Sequence, residues 1–96
     1  MAQKILTTAN IRTAINGLRL PELTATVSNM SDKALLKAEF ETDLGLDSLD
    51  VTELTMNLEK DLDISFPDSS FHRFKRDGNT VQAMLKEYNR VLATTK

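Results

Sequence analysis

Ser48 is the residue whose surroundings are best arranged for chemistry. It lies in the string Asp43-Leu44-Gly45-Leu46-Asp47-Ser48-Leu49-Asp50, directly ahead of a long helical pattern. Asp47 can accept hydrogen bonds from the first free N–H groups of that helix, and Asp50 is placed to answer it as the acidic member of a capping-box pair. Ser48 then becomes the first helical residue. Gly45 permits a backbone turn that brings the chain into the helix with the hydroxyl facing solvent. A phosphate ester formed on Ser48 would sit at the positive end of the helix dipole, close to unpaired amide donors. Taken by itself the residue reads as a plain helix-start serine, so the wider string has to carry any functional meaning.

Other chemistries fare worse. The chain has no cysteine, which removes disulfides, thiolate zinc sites and an intrinsic thiol nucleophile. Its single histidine, His72, lies in a basic stretch without a nucleophile or base partner in view, so an enzyme is not expected. Asp61, Asp63 and Ser65 imitate the first ligands of an EF-hand loop. That imitation fails because Phe66 stands where the loop needs glycine, Pro67 follows, and His72 occupies the place of the bidentate glutamate. No metal site is expected. Arg73, Lys75 and Arg76, interleaved with Phe71 and Phe74, make a poor phosphate track beside an acidic helix, so no nucleic-acid partner is expected either.

Helical periodicity supplies the elements that must position Ser48. Ile11, Ala14, Ile15 and Leu18 mark a first helix, with Thr8 as its cap and Pro21 just beyond its end. Residues 19–47 read as a long crossover loop, in which Ser31-Asp32 followed by Ala34, Leu35 and Leu36 could start a short extra helix. Ser48 to about Leu62 has neither glycine nor proline and forms a second helix. Pro67 keeps Ile64-Ser65-Phe66 extended, and Asp68 or Ser69 should cap a short third helix around Phe71 and Phe74. After the Gly78-Asn79 turn, Val81, Met84, Leu85, Tyr88, Val91 and Leu92 define a fourth helix capped by Asn79 or Thr80. The expected fold is therefore an all-α, small four-helix bundle with a long loop between helices one and two and a short third helix. With 96 residues it forms a single domain over 1–96, ordered from about residue 8 to 93, with loose ends at about 1–6 and 94–96.

On a wheel of about 100° per residue, Val51, Leu54, Thr55, Leu58 and Leu62 fill one core-facing arc of the second helix. Leu49 and Met56 fall together on the other side, flanked by Glu53 and Asp63, with Asp50, Asn57 and Asp61 at the polar edge. The net charge of −2 hides the same polarity. Residues 1–37 carry five bases and two acids, 38–68 one base and ten acids, and 69–96 six bases and two acids. An apolar spot within an acid surface suits fast, reusable docking to basic partners. No run approaches the roughly 20 apolar residues of a membrane span, and the first ten residues lack a secretory signal's apolar stretch, so a cytoplasmic location is the default.

The run from Asp43 to Asp50, continued by Glu53-Leu54, Met56, Leu58-Glu59 and Phe66-Pro67-Asp68 and resumed at Thr80-Val81-Gln82-Ala83, resembles the acyl carrier proteins. Phe40 looks like that family's core phenylalanine in the crossover loop. The resemblance implies a four-helix carrier fold and attachment of 4'-phosphopantetheine to Ser48 from coenzyme A by a phosphopantetheinyl transferase. It also explains the missing cysteine, since the arm supplies the thiol that holds acyl groups as thioesters. The carrier itself would catalyse nothing. By the same resemblance, Asp47, Leu49, Asp50, Glu53, Met56 and Glu59 form the partner surface, read by the transferase, acyltransferases and ketosynthases. Phe40, Val51, Leu54, Leu58, Leu62, Phe66, Val81 and Leu85 line an acyl-sequestering interior. The implied role is that of a monomeric carrier in fatty-acid or related lipid or polyketide synthesis. An aminoacyl or peptidyl carrier, or an unmodified acidic helical interaction module, are the alternatives. Lys60, the long loop before Phe40 and the expanded Phe71–Gly78 segment depart from the family pattern and leave the pathway open.

Overall fold

The computed structural model describes residues 5–94 and contains six helices among them. They are α1 (Thr8–Asn16), α2 (Pro21–Ser28), α3 (Asp32–Lys37), α4 (Ser48–Leu62), α5 (Asp68–Arg76) and α6 (Val81–Thr94). The four helices expected from periodicity are α1, α4, α5 and α6. The connection from 19 to 47, expected to be mostly loop, holds two more. Pro21, read as lying past a helix, instead opens α2 at its first position, where the missing N–H costs nothing and the fixed φ is already helical. The weak Ser31 signal proves to be a real cap, its side chain accepting the Ala34 N–H at 3.1 Å.

Two other caps shift by a residue or more. Thr7, not Thr8, precedes α1, and its N–H donates to Asn10 Oδ1 at 2.9 Å. Pro67 takes the cap position of α5, with Asp68 already inside the helix, where its charge meets the positive end of the dipole. Thr80 caps α6 as expected, accepting the Ala83 N–H at 3.1 Å.

One hydrophobic cluster draws on all six helices and on the loop before α4. Its centre is aromatic. Phe66 stacks on Tyr88 with ring centroids 4.0 Å apart, and edge-on contacts run from Tyr88 to Phe74 at 5.6 Å and from Phe74 to Phe40 at 6.0 Å. Where α5 meets α6, the buried Ser70 hydroxyl donates to Glu87 at 2.7 Å. Arg90 holds the Glu87 carboxyl below its ordinary range from the other side. At the opposite end, Arg12 on α1 reaches the carbonyls of Val27 and Met30 and the Asp32 carboxylate, so one guanidinium fastens α2 and α3 together.

Ordered packing begins earlier than expected. Leu6 is in the core, and its backbone N–H and C=O both bond the Asn89 side-chain amide. The remaining ends expected to be loose, residues 1–4 and 95–96, lie outside the described residues.

Candidate functional site

The eight-residue string before and into α4 folds as a self-bonded scaffold. Asp43 Oδ2 accepts the Glu39 N–H at 2.8 Å, while the Asp43 and Leu44 amides both return to the Glu39 carbonyl. The Leu46 N–H then bonds the Phe40 carbonyl at 2.8 Å. Leu44 and Leu46 are buried on either side of Gly45, which adopts φ +67°. That left-handed conformation is open to glycine and strained for other residues, so the glycine reverses the chain and both leucines reach the core. Phe40 is fixed in turn by a short antiparallel bridge between Glu39 and Thr80. The Phe40 N–H bonds the Asn79 carbonyl and the Val81 N–H bonds the Ala38 carbonyl, each at 3.0 Å. The loop is therefore tied to the start of α6 as well as to itself.

Sequence reasoning missed Leu44 and Leu46 as core residues. Their alternation around Gly45 was the available signal.

This scaffold delivers the capping box as expected. The Asp50 N–H donates to Asp47 Oδ1 at 2.9 Å and the Asp47 N–H donates to Asp50 Oδ2 at 3.2 Å. Ser48 is the first residue of α4 and is exposed. Helix geometry leaves the N–H groups of Ser48 and Leu49 without an intrahelical acceptor. Beside the loop there is room: a Cβ placed on Gly45 would meet nothing within 4 Å. An exposed hydroxyl on a rigid turn, with amide donors nearby and open space alongside, fits a covalent phosphate ester carrying a long arm. The Asp47 and Asp50 carboxylates are committed to the cap, which keeps the helix start in register beneath that hydroxyl.

The six acidic-surface residues named from sequence divide into two sets. Leu49 is 73% exposed, Met56 is 56% exposed, and Glu53 stands between them on the same face, one turn from each. These three are free to meet a partner. Asp47, Asp50 and Glu59 each bond a backbone N–H instead. Glu59 is half-buried, and its Oε2 accepts the Phe66 N–H at 2.7 Å, which clamps the extended 64–66 segment against α4. No helical wheel could show this, because Phe66 comes from beyond the end of the helix.

Of the eight residues assigned to an acyl-holding interior, seven are buried and Leu62 is half-buried against the cluster. Phe66 also borders a groove of about 370 Å³ between α4 and α5. Thr55 and Tyr88 meet there through a 2.9 Å hydroxyl–hydroxyl hydrogen bond, and burial pushes the Tyr88 phenol up to about 12. In the sequence, Tyr88 stands only as one apolar-face position among six.

A helical domain that presents one serine at a capped helix start, and no cysteine of its own, has the layout of a carrier for a covalently attached arm. The family model described as the phosphopantetheine attachment site matches residues 19–86. An acyl carrier protein of Clostridium perfringens is 41% identical over 51 residues, covering 53% of this chain and 67% of the relative. One from Porphyromonas gingivalis is 42% identical over 50 residues, covering 52% of this chain and 64% of the relative. One from Phytoplasma australiense is 49% identical over 45 residues, covering 47% and 59%. This chain thus spans about three fifths to two thirds of the length of these relatives. No solved structure gives a significant match. The chain belongs to the acyl carrier protein family, and membership implies a covalent 4'-phosphopantetheine group. Members of this family are carrier proteins, generally without catalytic activity. No helix among the described residues is long and apolar enough to cross a membrane.

Proposed function

We propose that the chain is a single carrier unit whose Ser48 hydroxyl receives 4'-phosphopantetheine from coenzyme A through a phosphopantetheinyl transferase. The observation that carries this reading is the exposed Ser48 at the first position of α4, held by the Asp47–Asp50 capping box and the Gly45 turn. The attached arm supplies a thiol on which acyl groups ride as thioesters. The chain's own residues position that arm and offer a docking face. Leu49 and Met56 give a small apolar contact, and Glu53 with the surrounding acids steers basic enzyme surfaces onto it. Acyltransferases and ketosynthases of fatty-acid or related lipid or polyketide synthesis are the partners in this reading, and the protein works as a cytoplasmic monomer. Phe40, Val51, Leu54, Leu58, Leu62, Phe66, Val81 and Leu85 form the interior that this reading assigns to sequestering the acyl group.

Intact-protein mass spectrometry tests the assignment after incubation with coenzyme A and a broad-specificity transferase. The wild type gains the mass of one phosphopantetheine group, and Ser48→Ala gains none. No adduct on the wild type leaves an unmodified interaction module as the better reading. An adduct on Ser48→Ala places the attachment elsewhere.

A further inference from the structure

A cleft of about 510 Å³ lies between the N-terminal end of α2 and the turn that leads into α4. Leu20, Pro21 and Leu23 line it from the side of α2, and Leu44, Gly45 and Leu46 from the turn. Both sides are fixed without a ligand. Arg12 holds the Val27 and Met30 carbonyls at the far end of α2, and the Leu46 N–H bonds the Phe40 carbonyl at 2.8 Å.

The cleft begins close to the attachment hydroxyl. Leu46 and Gly45 precede Ser48 by two and three residues, so their Cα atoms lie within about 7 and about 11 Å of its own, the limit of an extended chain. Gly45, Asp47 and Ser48 all face solvent. A phosphopantetheine arm runs through about 14 chain atoms from the serine oxygen to its thiol, as many as four to five residues of backbone, and so reaches about 16 Å. An arm on Ser48 therefore spans the cleft.

The lining also suits the arm's chemistry. Beyond its phosphate the arm is uncharged and carries a geminal methyl pair, a hydroxyl, two amides and the sulfur. Leucine and proline surface is available to the methyls. The cap of α2 is Leu20, which offers no side-chain acceptor, and helix geometry leaves the Glu22 and Leu23 N–H groups without an intrahelical one. These donors match amide carbonyls. Thr26 donates its hydroxyl to the Glu22 carbonyl at 3.0 Å and keeps its lone pairs, while one Asp43 oxygen lies outside the bond to the Glu39 N–H. These acceptors match amide N–H groups. The Glu22 and Asp43 carboxylates repel a free anion, but not an arm whose one charged group stays at Ser48.

We infer that this cleft is the resting seat of the arm's pantetheine portion between visits to partner enzymes. The inference rests on the carrier reading of Ser48, and it gives α2 a task that reading leaves unassigned.

The test compares the ¹⁵N-labelled protein before and after loading from coenzyme A by a broad-specificity transferase. Mass spectrometry reads loading first, and no adduct overturns the carrier reading and the seat with it. Once loaded, the amide signals of Glu22, Leu23, Gly45 and Leu46 should shift, and the arm's methyls should show nuclear Overhauser contacts to Leu20, Leu23 or Leu44. Shifts confined to 47–51 overturn the seat alone, as do methyl contacts to Thr52, Thr55 or Met56 in place of the leucines. Cleft shifts that appear only when unlabelled transferase is added assign the cleft to a partner's side chain, and overturn the seat too. Leu20→Ser removes apolar wall and places a hydroxyl acceptor on one of the α2 donors, and serine is the better cap, so the helix is kept. In the loaded variant the methyl contacts should vanish, and iodoacetamide should alkylate the thiol about fourfold faster than in wild type, the worth of about one buried methylene. Equal alkylation rates in a variant of unchanged circular dichroism overturn the seat. Should the variant fail to fold, the wild-type contacts decide alone.

Discussion

Tyr88 gathers three contacts of the core into one side chain. It stacks on Phe66, meets Phe74 edge-on and shares a hydrogen bond with Thr55, and burial raises its phenol to about 12. An ordinary tyrosine titrates near about 10, so the neutral phenol favours the folded state. That contribution is complete below about pH 10 and is lost as pH rises through about 12. The chain has a single tyrosine, so phenolate absorbance reports this residue alone. In an alkaline titration the absorbance should rise together with loss of helical circular dichroism. Phenolate appearing near pH 10 with full helicity would show a solvent-accessible ring instead. Glu59 teaches a related lesson for the docking face, since its bond to the Phe66 N–H gives the 64–66 segment a structural hold that partner binding cannot use freely. At this scale the sequence made Ser48, Leu49 and Met56 legible. It left the Thr55–Tyr88 pair hidden, because 33 residues of chain separate the two hydroxyls.

Single side chains also decide how the helices are fixed. Asp47 caps the helix that carries Ser48, and Asp47→Ala should cost about 1 kcal/mol of unfolding free energy, the usual worth of such a cap. Denaturant unfolding measures it. Because the Asp50 N–H then loses its side-chain acceptor, hydrogen exchange in the first turn of α4 should quicken as well. Arg12 performs a comparable task for α2 and α3. It bonds the Val27 carbonyl at 2.5 Å, the Met30 carbonyl at 2.7 Å and Asp32 at 3.0 Å, and holds the Asp32 carboxyl below its ordinary range. In Arg12→Ala, amide exchange should accelerate across 21–37 while α4, α5 and α6 keep wild-type protection. Uniform acceleration over the whole chain would mean that α2 and α3 are not a separable unit. Periodicity found the long helices because each presents a stripe of several apolar residues. It passed over α2, whose one fully buried residue is Val27 and whose Val27 carbonyl is held by Arg12.

For the molecule as a whole, the distribution of charge matters more than its total. Ten acids and one base fall within 38–68, and the three residues free on the docking face lie inside that window. Glu53 is the clean probe of electrostatic steering, since reversing Asp50 would also break the cap and confuse docking with folding. Glu53→Lys should slow transfer of the phosphopantetheine group by about two- to tenfold at low salt through a weaker encounter with a basic transferase surface. The difference should fade near 1 M salt, where the Debye length is about 3 Å. Stopped time courses at the two ionic strengths measure both effects. Equal rates for wild type and variant at low salt would remove Glu53 from the encounter surface.

By itself the sequence determined the helical class, the span of α4, the capping box and the exposure of Leu49 and Met56. Each of these follows from neighbours within a turn or two, where 3.6-residue periodicity and cap chemistry act. Only the tertiary structure decided that Glu59 turns back to the Phe66 amide and that Leu44 and Leu46 bury themselves around Gly45. It also decided that Thr55 and Tyr88 meet at the groove between α4 and α5. Those outcomes depend on which helices pack together and how closely, and local spacing along a chain carries no record of contacts between residues far apart in it.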